Sequence, residues 1–95
     1  MNMEALIEKY ISSAEKVFKD LQKTNEPTTV TKENVVTILS WAADYLTDAK
    51  YYKAKGNLET SLTSVAYCEG LLDALRLLGV VKFEWPMNQR RTKLS

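Results

Sequence analysis

The stretch Tyr51-Tyr52-Lys53-Ala54-Lys55-Gly56-Asn57-Leu58-Glu59-Thr60-Ser61 joins two long apolar series. Before its glycine, Val35, Ile38, Ala42, Tyr45, Ala49 and Tyr52 step by threes and fours, and after it Leu58, Ser61, Val65, Cys68, Leu72, Leu75 and Gly79 do the same. That stepping places each series on one side of an α-helix. Between the two, Gly56 can take the left-handed conformation that ends a helix, and Asn57 can cap the next one. A joint this short folds the two helices into an antiparallel hairpin.

Outward from the hairpin, Met3, Ile7, Tyr10, Ala14, Val17 and Leu21 form a third series. Glu4 and Glu8 lie near its start and Lys19 and Lys23 near its end, which suits the helix dipole. Glu15 with Lys19, and Lys16 with Asp20, are pairs four residues apart on its exposed side. Pro27 interrupts the following segment and disfavours helical geometry at Glu26. Thr31 then offers a cap for the second helix, with Glu33 in its first turn. The spacing predicts helices over about 3–23, 31–55 and 58–78. Three seams with one spacing predict an all-α, three-helix up-and-down bundle over 1–79, with a slight left-handed twist and crossings near ~20°. Gly79 ends the third helix, and 80–95 reads as a tail, extended through Val80-Val81-Lys82-Phe83-Glu84-Trp85, partly docked and frayed beyond Pro86.

The chain's 95 residues suffice for one core and not for two. A single cysteine, Cys68, excludes an internal disulfide and suits a reducing compartment. No apolar run is long enough to span a bilayer, and the first residues show no basic region followed by an apolar one. A cytoplasmic location without membrane attachment is the expectation. Lys82, Arg90, Arg91 and Lys93 against Glu84 give the tail +3, which leaves −2 for the rest of a chain of net charge +1. A slightly acidic body gives no broad attraction for nucleic acid. Only the tail offers one, with Arg90, Arg91 and Lys93 for phosphates and upstream aromatics for stacking.

Catalytic chemistry finds little to stand on. A cysteine nucleophile needs a base, and the chain has no histidine. Cys68 falls on the third helix's apolar seam, where a small buried hydrophobe explains it. Asp44, Asp48, Glu69 and Asp73 are carboxylates on two helices, and a solvated acidic edge accounts for them without a metal. Neither enzymatic activity nor any cofactor, metal or small-molecule substrate is expected. Gly70 sits inside a helix, where glycine costs about 1 kcal/mol against alanine; close approach of a neighbouring backbone is the expected reason. Asp73 could bond the hydroxyls of Tyr10, Tyr45 or Tyr67, or pair with Arg76.

The third helix is apolar over most of its circumference in its second half, with only Glu69, Asp73 and Arg76 as a polar stripe. Two neighbours in one bundle cannot cover so wide a face. Leu71, Leu75, Leu77 and Leu78, with Phe83 and Trp85 of the tail, are therefore candidates for an interaction surface. Trp41, at the edge of the second helix's apolar face beside Asp44 and Asp48, and Tyr51, pointing away from its core side, join them, since Trp and Tyr are enriched at interface hot spots.

Two segments, Asp48-Ala49-Lys50-Tyr51-Tyr52-Lys53-Ala54-Lys55-Gly56-Asn57 and Tyr67-Cys68-Glu69-Gly70-Leu71-Leu72-Asp73-Ala74, resemble the small archaeal family called domain of unknown function 357. That family's pattern is an Asp-Ala pair with two aromatics, then Lys-Gly-Asp/Asn, then Tyr, Gly and Asp at steps of three. The resemblance covers roughly residues 42–79 and departs at Cys68-Glu69, where small or polar residues such as Ala and His are the pattern. It implies a closed three-helix bundle with no assigned activity and no known cofactor. The reading that results is a protein–protein interaction or self-association module, with a protein partner or a second copy as its ligand. The alternative is an accessory RNA- or nucleic-acid-binding protein that uses the basic aromatic tail.

Overall fold

The structure, a computed structural model, describes residues 2–86. It contains three α-helices and, among the described residues, no strand: α1 Met3–Asp20, α2 Lys32–Ala54 and α3 Leu58–Leu77. The all-α, three-helix expectation holds.

Local chemistry sets the helix ends. Asn2 starts α1, its side-chain oxygen accepting the Ala5 N–H at 2.7 Å. Thr31 starts α2 with a reciprocal pair: its hydroxyl accepts the Asn34 N–H at 3.0 Å, and the Asn34 side chain accepts the Thr31 N–H at 3.2 Å. Gly56 has φ +82°, and the Gly56 and Asn57 N–H groups donate back to the carbonyls of Lys53 and Tyr52. Gly79, at φ +79°, repeats the arrangement, with its own N–H and that of Val80 donating to Arg76 and Leu75. These are two Schellman endings, each needing a residue free of Cβ strain at positive φ. α1 stops three residues short of the expected 23, because Leu21 turns extended while its N–H still reaches Val17.

Helix–helix packing is confined to α2 and α3. The residues shielded from solvent on α2 are Val35, Ile38, Ala42, Tyr45, Ala49 and Tyr52, the series read from the spacing. Opposite them stand Ser64, Val65, Cys68, Leu72 and Leu75. Small residues at the contact (Ala42, Ala49, Ser64 and Cys68 are all buried) let the two backbones approach. Ser61 adds a tie across the joint, donating its hydroxyl to the Ala49 carbonyl at 2.7 Å. Tyr45 and Tyr67 close one edge of the hairpin as a stack, with ring centres 4.3 Å apart.

α1 takes no part in this. No residue of α1 is buried, and no interhelix packing joins it to α2 or α3. The radius of gyration is 15.8 Å, above the ~12 Å typical of a compact chain of this length. The three-helix count and the helix positions follow from the spacing, and among the described residues the helix–helix contacts lie between α2 and α3.

Gly70 corrects a second expectation. A Cβ built there meets nothing within 4 Å, so no neighbouring backbone crosses close. Gly70→Ala should therefore stabilise the hairpin by about 1 kcal/mol through helix propensity alone. Thermal unfolding followed by circular dichroism checks this; a lowered midpoint would mean that something does pack against the glycine.

Candidate functional site

The surface feature that dominates the molecule is the apolar face of α1. Met3, Ile7, Tyr10, Ile11, Val17 and Phe18, with Leu21 at its end, are all exposed, Phe18 at 80%. Glu4, Glu8 and Glu15 line one border of this face, one turn from Ile7, Ile11 and Phe18. Lys16 pairs with Asp20 at 2.8 Å on the polar side, as the spacing suggested, while Glu15 makes no ion pair with Lys19.

A second apolar row lies on α2. Val36, Leu39, Ala43 and Leu46 again step by three and four, and all four are exposed. The core series of α2 obscures it in the sequence because the rows are offset by a single residue. The signal was the repeat of the same spacing one position later.

The tail forms a latch on α3. Trp85 donates its indole N–H to Asp73 at 2.8 Å, and Arg76 donates to the same carboxylate oxygen at 3.4 Å. Phe83 meets Trp85 edge to face, with ring centres 5.0 Å apart, and the Arg76 guanidinium lies 5.2 Å from the centre of the Phe83 ring. Arg76 thus joins a carboxylate and an aromatic face in one arrangement. Asp73 has Arg76 as partner, as one of the anticipated options, together with Trp85, which was not among them.

The expected interaction residues divide among these features. Trp41 and Tyr51 are exposed, but ten residues of helix, roughly 15 Å, separate them. They do not form one patch: Tyr51 packs edge-on against Tyr52 with Lys55 above its ring. Leu77 and Leu78 are exposed at the end of α3, and Leu71 is half-buried. Leu75 is a correction. It is fully buried, at 0% exposure, and belongs to the core because it falls in register with Cys68 on the face turned to α2. Phe83 and Trp85 are half-buried in the latch. Arg90, Arg91 and Lys93 lie outside the described residues.

Cys68 is buried, and burial followed by the nearby Glu69 carboxylate pushes its thiol pKa up. A thiol held neutral in this way is a poor nucleophile. Among the described residues no three His, Cys, Asp or Glu side chains group closely enough to hold a metal ion. No described helix is long and apolar enough to cross a membrane.

The fold and surface therefore define a helical-hairpin protein with a separate amphipathic N-terminal helix. It belongs to the family described as "Protein of unknown function (DUF357)", whose model matches residues 9–81. That span runs from within α1 through the hairpin to the first residues of the tail. No curated protein and no solved structure matches the chain.

Proposed function

We propose that this chain is a non-enzymatic protein–protein interaction or self-association module whose binding element is α1. The observation that carries the reading is that an 18-residue amphipathic helix has its whole apolar face in solvent. In proteins most of a helix's stability comes from packing its amphipathic face rather than from propensity. Contiguous apolar surface of this size marks a contact site. A cytoplasmic setting goes with this reading, since the lone buried thiol suits a reducing compartment.

Phe18→Asp tests it by placing a charge at the most exposed side chain of the face. The unfolding midpoint of the dilute protein should be unchanged, because Phe18 packs against neither hairpin helix. Associations of the wild-type chain, read by light scattering and cross-linking, should be lost. A midpoint lowered by several degrees at high dilution would make the face part of the chain's own core, and the module reading would fail.

A further inference from the structure

The partner of α1 can be specified from the charges that border the two open apolar rows. On α2, Lys32 and Lys50 continue the row of Val36, Leu39, Ala43 and Leu46 at either end, each four residues from its neighbour. On α1, Glu4, Glu8 and Glu15 border the apolar face. None of these five charges has an ion-pair partner among the described residues. An acidic-bordered apolar helix and a basic-ended apolar row complement each other in sign. The stacked Tyr45 and Tyr67 close the opposite edge of the hairpin, so the row through Leu39 and Leu46 is the open one.

We infer that α1 docks along the Val36–Leu46 row of α2 in a second copy of this chain, and that two chains exchange α1 reciprocally. The inference rests on the module reading and names its partner. Within one chain α1 stands off its hairpin, joined by eleven residues, 21–31, without helical or strand structure. That connector can span at most ~36 Å, enough to reach a neighbouring hairpin. Exchange of an identical element is a low-cost route to a closed, symmetric dimer. The area is adequate. Seven large apolar side chains left about half exposed offer roughly 100 Å² each, so two exchanged helices contribute on the order of 1,400 Å², against the roughly 1,200–2,000 Å² of a stable interface.

A charge-reversal mixing experiment separates exchange from fold-back. One full-length chain carries E4K, E8K and E15K; another carries K32E and K50E. At low ionic strength the wild type should be a dimer by light scattering, and each variant alone should dissociate with its constant raised roughly tenfold or more, like charges now facing each other. An equimolar mixture should recover a heterodimer, because both docking contacts then unite opposite charges. A mixture that stays monomeric overturns the inference, as does a wild type that is monomeric at every concentration. In the latter case an unchanged midpoint for Phe18→Asp would leave the module reading standing with a different partner.

Discussion

Leu75→Ala is expected to lower the unfolding free energy by about 2–5 kcal/mol, the usual cost of truncating a leucine in a packed core. Leu75 is the one large side chain that the hairpin buries completely. The other buried contacts are made by Ala42, Ala49, Ser64 and Cys68, which supply close approach and little volume. With total stability of a small domain only about 5–15 kcal/mol, the variant should sit close to its unfolding midpoint at moderate temperature. Leu77→Ala is the control. Leu77 is 83% exposed two residues further along α3, so its loss should register within about 0.5 kcal/mol. Chemical denaturation monitored by helical circular dichroism measures both. Equal losses would mean that α3 does not turn the Cys68–Leu75 face to α2.

The second large effect belongs to the latch. Trp85→Ala should cost about 2–3 kcal/mol, below the range for a fully buried aromatic because the indole is half-buried. Trp85→Phe separates the contributions, since it keeps ring burial and removes the N–H that donates to Asp73. A hydrogen bond to a charged acceptor contributes about 1.5–3 kcal/mol, so the phenylalanine variant should lose about half or more of what the alanine variant loses. Removing 80–95 should cost at least as much as Trp85→Ala, with Phe83 and its contact to Arg76 lost as well. If the alanine variant unfolds like the wild type, the tail contributes nothing to the hairpin and the Asp73 contact is incidental.

Local signals were legible in the sequence and long-range ones were not, for reasons particular residues make plain. Thr31, Gly56, Asn57 and Gly79 act on their own backbone neighbours, so residue type and position suffice to place helix ends. The α2 core series was legible because a helix face is a matter of spacing. The destination of a face is not. The α1 seam has the same stepping as the others, yet stepping names no partner, and α1 packs on neither hairpin helix. Gly70 carries the propensity cost expected of a glycine at a tight crossing, but the same residue in open space looks identical in sequence. Asp73 finds Trp85 twelve residues away only because Gly79 turns the chain back, a geometry that a residue list does not contain.

Within one chain, the apolar face of α1 packs on neither hairpin helix. Hydrogen exchange at the amides of α1, followed across a dilution series, reads this out. An unpartnered helix opens freely, while the α2–α3 hairpin opens only with the core. In the dilute chain, α1 amides between Met3 and Asp20 should exchange near the rate of an unstructured peptide while those around Ala42, Cys68 and Leu75 stay protected, and α1 should gain protection as concentration rises. Protection of α1 equal to that of the hairpin at the highest dilution would instead place α1 in a closed monomeric bundle.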